Sequence, residues 1–293
     1  MKKLLLSFSL LFPLLVIAQS STNELDQSLA AMQNRQLPEF TSVHVTDSYE
    51  VIFTQSDEYK VFIDSADSEV LQRTLTYVEG TTLHVNYKAH SIARLSDKIR
   101  LYIQAPDIDS ILVEGTGSFR CDEKLTSAHL NIIVKGTGRI TLNDVDATII
   151  EITKSVSGVM NCQRLIDCDT LIANLYGTGT ITMQDIRATI VNINLAGASV
   201  CRIKGSVNVT KLVAYMDGAG SYFFDGQLNV TENLRLDING AGSIIAENID
   251  ADSLFATLYG VGKIRVGGNV NHFSRDLVGI GVINTKKLNV KNK

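Results

Sequence analysis

Leu212 to Phe224 reads LVAYMDGAGSYFF. Apolar and polar residues alternate up to a Gly-x-Gly, and the alternation resumes beyond it. The same form recurs nine times. With the second residue of each small pair as an anchor, the copies fall at Gly117, Gly138, Gly158, Gly179, Ser199, Gly220, Gly242, Gly262 and Gly281, spaced 19 to 22 residues apart. The residue two before the anchor is glycine in every copy except one, where it is Val156. A period near twenty with little drift marks a solenoid, in which one coil cannot bury its apolar face alone.

The columns decide what kind of coil this is. Two residues after the anchors stand Phe119, Ile140, Met160, Ile181, Cys201, Tyr222, Ile244, Ile264 and Ile283, and the positions four after them are almost as apolar. Four before them stand Val113, Val134, Lys154, Leu175, Leu195, Met216, Ile238, Leu258 and Leu277. Spacing by twos on both sides of the glycines describes strands with one inward face. Leucine-rich repeats have a similar length, but their asparagine ladder and helical half are missing. The expected fold is all-β: a single-stranded parallel β-helix, a solenoid of about nine short coils, with an amino-terminal β cap.

The glycines have a structural reason. At a corner between two strands the inward position leaves no room for a side chain, and the backbone there favours positive φ. A phosphate-cradling loop needs Gly-x-Gly-x-x-Gly opening a helix, and no copy has the third glycine or a helix after it. The Gly-Gly-x-Gly-x-Asp calcium repeat is also excluded, because Ser118, Arg139, Thr180, Ser221 and Lys263 follow the anchors.

The rest of the 293-residue chain is organised around this array. A 45% hydrophobic content and a net charge of −4 fit a protein with a sizeable core, and the mild charge points to neither nucleic acid nor a membrane as partner. Residues 1–18 read as an export signal: Lys2 and Lys3, an apolar run from Leu4 to Ile17, and Ala18 before Gln19. With the signal removed, no remaining stretch is long enough to span a bilayer. The expected location is therefore periplasmic, outer-surface associated or secreted. Residues 19–36 form a polar arm in which Leu25, Leu29 and Met32 stand at helical spacing. From 37 to 108 short alternating runs (42–45, 49–55, 59–64, 75–78, 83–87 and 99–103) read as strands of a cap continuous with the solenoid, with a helical turn or two between Asp67 and Thr74. Residues 109–293 are the β-helix repeats. The cap would cover a raw strand edge.

An export signal, the extended stretch FTSVHVTDSYEVIFTQSDEYKVFIDSAD, the segment KIRLYIQAPDIDSILVEGTGSF and the repeated Gly-x-Gly coils together resemble the auto-transporter adhesin head GIN domain family of exported bacterial proteins. The resemblance runs from about Phe40 to the end of the chain. It implies a β-helical fold and an adhesion or binding role. Family members usually carry serine between the glycines and an acid after them, whereas here Thr116, Thr137, Thr178, Ala219 and Ala241 stand between.

The four cysteines are expected to be core thiols. Cys121 and Cys162 share a column two coils apart, about 9.6 Å at a coil spacing of about 4.8 Å, which exceeds the reach of a disulfide. Cys201 lies in another column, and only Cys162 with Cys168 remains open as a pair. His44, His84, His90, His129 and His272 are scattered without metal-ligand spacing, no nucleophile motif is present, and no cofactor or metal is expected. Parallel β-helices do host polysaccharide lyases and hydrolases, and Asp217 and Asp237 on neighbouring coils could suit paired acid and base work. Against this stand the short coils, which carry no long catalytic loops.

The expected function is therefore non-catalytic binding or adhesion at the bacterial cell envelope. The partner would be a glycan or an envelope or surface protein. A polysaccharide-active enzyme and a purely structural envelope protein are the alternatives. Candidate ligand-binding residues are Tyr176, Tyr215, Asp217, Asp237, Asn239 and Tyr259, on the outward face before the corners. Rings with polar tips beside acids and an amide offer the contacts that sugars or an extended peptide use.

Overall fold

Each alternating run is a strand, and the glycine corners turn one strand into the next. The computed structural model describes residues 32–65, 67–88 and 99–291. The expected export signal, His90 and most of the polar arm lie outside them. The end of the arm is not helical: Met32–Asn34 is a strand, β1, paired antiparallel with Lys60–Asp64 (β4).

The first coil shows the plan. Ser110–Gly115 (β8) runs up to a corner, Ser118–Cys121 (β9) leaves it, and Leu125–Gly136 (β10) crosses the coil to reach the next corner. β10 then pairs in parallel with β8, Gly136 standing beside Gly115. The same register continues to the last corner, where Gly260 stands beside Gly279. The result is a parallel β-solenoid of about nine turns.

The inward columns are continuous. Phe119, Ile140, Met160, Ile181, Cys201, Tyr222, Ile244 and Ile264 are Cα partners from coil to coil, and each is at most 1% exposed. They belong to one apolar cluster that also takes in the cap. At roughly 25 cal/mol per Å² of buried apolar area, this burial is the main force holding the coils together.

Two corners show why the small residues are required. A Cβ on Gly138 would lie 2.6 Å from Val113 Cγ1 and 2.7 Å from the Gly117 carbonyl oxygen, so the side chain of one coil fills the space in front of the next coil's anchor. Ser199, the one anchor with a side chain, is fully buried and places its hydroxyl 3.2 Å from the Gly177 carbonyl, to which it donates. The first residue of every corner sits at positive φ, from 64° at Val156 to 139° at Gly218. Val156 holds this conformation although it is β-branched and 56% exposed.

The Val156 coil has a second departure. Lys154 stands in an inward column and is fully buried. Its Nζ donates to the Val156 carbonyl at 3.5 Å and, more closely, to the Thr178 carbonyl. Gly179 is alone among the second corner residues in having positive φ, 99°, which allows the peptide before it to present that carbonyl. Burial lowers the Lys154 pKa from its ordinary value.

The cap uses the same register. Ser42–Val45 (β2) lies parallel to β8 on one side and to Thr82–Tyr87 (β6) on the other. Glu50–Gln55 (β3) likewise lies between β9 and Arg100–Ala105 (β7). Asp47, at φ 61°, takes the corner position between β2 and β3. The parallel stack then stops, because Lys60–Asp64 (β4) and Thr74–Glu79 (β5) add antiparallel to β7 and β6. A short helix, Ser68–Arg73 (α1), precedes β5, with Asp67 capping its first turn through the Glu69 amide. All four cysteines are free and buried. Desolvation pushes the Cys121 thiol up to about 11 and those of Cys162, Cys168 and Cys201 up to about 12.

Candidate functional site

On the strands that lead into the corners, outward residues fall three to a coil and line up along the axis because the register is unbroken. Over three consecutive coils they form a grid: Val213, Tyr215 and Asp217; Arg235, Asp237 and Asn239; Phe255, Thr257 and Tyr259. Five of the six residues expected from the sequence lie in this grid, Tyr215 beside Asp237 and Asp217 beside Asn239, which is itself beside Tyr259. Tyr176 stands apart. It is the Cα partner of Ala196, which is partnered by Asp217, so two coil steps separate Tyr176 from the cluster.

The rings are accessible: Tyr215 is 37%, Tyr259 44% and Phe255 42% exposed. Tyr215 is fixed from below. Tyr222 points inward from the strand after the corner, and its hydroxyl reaches the Tyr215 carbonyl at 2.7 Å and the Ile193 carbonyl at 2.9 Å. The Tyr259 hydroxyl donates to Asp276 Oδ2 at 2.7 Å, and this bond raises its pKa. Asn239 Nδ2 lies 3.4 Å from Asp217 Oδ1.

Asp237 differs from its expected role. It is 8% exposed, Arg235 Nε lies 2.5 Å from Oδ2, and Oδ1 is buried without a hydrogen-bond partner among the described residues. The carboxylate is therefore an internal brace for the Arg235 guanidinium and is not an exposed acid beside Asp217. The Asp217–Asp237 pair loses one of the two accessible carboxylates that acid and base work requires. Asp237 is placed to orient Arg235, whose guanidinium is the exposed group of the pair.

The face also extends beyond what the sequence pattern revealed. Along the central column, β2 brings His44 beside Leu112 and His84 beside His44, and the antiparallel β5 adds Tyr77. Tyr77 stacks on His84 with centroids 4.9 Å apart, and His44 Nε2 lies 3.1 Å from Glu114 Oε2. Burial and the nearby His44 lower the His84 pKa. These residues were legible only as scattered histidines, since nothing in the spacing gives the cap's register. Arg235, Phe255 and Asp276 carry a signal that was available, the period of two from residues already chosen. Among the described residues no group of three or more His, Cys, Asp or Glu side chains is arranged to hold a metal ion.

A groove of about 570 Å³ lies past the first corners, lined by Ser48, Glu50, Thr116, Ser118, Arg120, Thr137, Arg139 and Thr141. Its lining is mostly polar, and among the described residues the most exposed tyrosine and phenylalanine rings stand on the face before the corners.

The family described as "Putative auto-transporter adhesin, head GIN domain" matches the chain at residues 39–216 and 202–293. Solved structures with the same fold include a "putative adhesin" from Parabacteroides merdae ATCC 43184, with a TM-score of 0.62 at 16% identity, covering 87% of this chain and 95% of the other. A "putative lipid binding protein" from Parabacteroides distasonis ATCC 8503 gives 0.61 at 19% identity over 87% and 96%. A "putative adhesin" from Bacteroides fragilis NCTC 9343 gives 0.54 at 19% over 87% and 95%. No curated protein matches the chain.

Proposed function

The chain belongs to the "Putative auto-transporter adhesin, head GIN domain" family, and from that premise we propose that it is an exported, non-catalytic binding protein of the bacterial cell envelope, with a glycan as ligand. The ligand lies across the coils before the corners, over Tyr215, Asp217, Arg235, Asn239, Phe255 and Tyr259. The observation that carries this reading is the juxtaposition of three accessible rings with a guanidinium, an acid and an amide on a flat β face whose backbone is fixed by the stack. Flat apolar area with polar tips suits a sugar ring, which presents apolar C–H faces and a rim of hydroxyls.

Because the scaffold is rigid, little conformational entropy is lost when a ligand lies along it. The export signal at residues 1–18 supports an envelope location, and among the described residues no helix is long and apolar enough to cross a membrane.

The test is glycan-array binding by the purified chain, followed by titration of any hit against the Tyr215→Ser/Tyr259→Ser double variant. The expected result is a loss of affinity of about tenfold or more at unchanged melting temperature. Unchanged affinity in a stable double variant would remove the site from this face. Absence of any hit would favour a purely structural role.

A further inference from the structure

We propose that the last two coils dock on the surface of an anionic lipid bilayer through an aliphatic ridge flanked by basic residues. This contact borders the glycan face, Val278 standing beside Tyr259, and neither reading depends on the other.

The residues between the two corner glycines form a ridge along the molecule, and its chemistry changes along the axis. It reads Thr116, Thr137, Ser157 and Thr178, then Ala198, Ala219 and Ala241, then Val261 and Ile280. Ile280 is 85% and Val261 65% exposed. Their neighbours continue the patch: Val278, beside Tyr259, is 57% exposed, and Val282, beside Lys263, is 54% exposed. Contiguous exposed apolar area of this kind marks an interaction surface.

The charge around the ridge names the partner. The strands that leave the last two corners carry Lys263 and Arg265 on one and Lys286 and Lys287 on the other, in a chain whose total charge is −4. Glu247, which bridges Arg265 at 3.0 Å and Lys287 at 3.3 Å, cancels one of these charges. Protruding aliphatic side chains beside lysines match the two layers of an anionic bilayer, acyl chains below and phosphates above.

A second copy of the chain fits less well. Tail-to-tail contact would set Lys286 and Lys287 against like charge. It would also bring Arg275 into the join, because Arg275 follows Leu236 and Ala256 in a column that is otherwise inward and buried. An inward-pointing charge on an edge strand opposes further strand stacking. Unpaired strand edges cannot enter hydrocarbon, so the ridge tips alone insert and the contact is peripheral.

The chain has no tryptophan, so Ile280→Trp gives a probe that reads this position alone. The control is Val156→Trp, which sits at another exposed corner, six coil steps away. On vesicles of phosphatidylglycerol and phosphatidylcholine, the expected result is a blue shift and quenching by brominated acyl chains at position 280, both weakened by salt, with neither at position 156. In the Ile280→Trp background, Lys286→Glu with Lys287→Glu should weaken vesicle binding by about tenfold or more. No shift at 280, an equal shift at both positions, or an equal response to pure phosphatidylcholine would overturn the proposal. A lipid-free shift that grows with protein concentration would overturn it too, in favour of self-association.

Discussion

The coil through Met216, Gly218 and Gly220 and the coil through Lys154, Val156 and Gly158 occupy the same columns with different chemistry. In the first, the Met216 thioether fills the space in front of Gly242, so close that a Cβ there would lie 1.8 Å from its sulfur. In the second, a buried ammonium stands in the thioether's place, the first corner residue is a strained valine, and the next anchor, Gly179, takes positive φ as a backbone carbonyl accepts from the lysine. The stack therefore constrains each column by volume and direction. Polarity can be accommodated where the backbone supplies an acceptor.

The largest expected effect lies in a regular coil. Ile244→Asp places an unpaired charge between Tyr222 and Ile264 and should cost about 4 kcal/mol or more. Ser243→Asp, one residue away on the outward side, should change stability by no more than about 0.5 kcal/mol. Denaturant melts of the two variants give the comparison. Equal losses would mean that the inward and outward faces are not distinct.

Lys154→Met should bring the irregular coil closer to its neighbours and stabilise it by about 1–3 kcal/mol at neutral pH, because a desolvated ammonium without a carboxylate partner is replaced by an apolar chain of similar length. The gain should depend on pH. With the folded pKa of Lys154 below its ordinary 10.5, the unfolded chain binds more protons in that window, and wild-type stability gains from this group as pH rises through it. The advantage of the methionine variant should therefore shrink towards pH 10. The buried thiols, raised to about 11 or 12, act in the opposite direction in both proteins, so the difference between the two isolates the amine. A pH-independent difference would mean that Lys154 is not desolvated.

Val156→Gly is expected to have the smallest effect, a stabilisation of about 1 kcal/mol. It relieves a positive-φ β-branched residue at the cost of some chain entropy. Thermal unfolding should show a rise of a few degrees at most, and a fall would mean that the exposed valine has an apolar contact at this corner.

The contrast between the two coils also marks what the sequence could reveal. The Gly-x-Gly period and the alternation around it fixed the coils, their order and their inward columns, since each depends on local spacing that repeats. Lys154 was visible in its column, but its acceptor lies one coil away, on a peptide whose orientation depends on Gly179. Asp237 belonged to the outward grid by parity, yet it is buried and paired with Arg235, which parity does not reveal. The joining of His44, His84 and Tyr77 to the same face depends on the cap's register, which rests on short strands that do not repeat. The basic character of the last coils was obscured in a whole-chain charge of −4.

The most direct measurement of the stack is a count of reactive thiols. Cys121, Cys162 and Cys201 point inward from strands that leave the corners, and Cys168 does so further along the same strand as Cys162, Val159–Gly177. A thiol reagent should find no fast-reacting thiol in the native protein and four after denaturation without reductant. No thiol after denaturation would mean two disulfides, one of them between coils, and rapid native labelling would mean that these columns do not face the core. Either result would contradict the register on which the binding face depends.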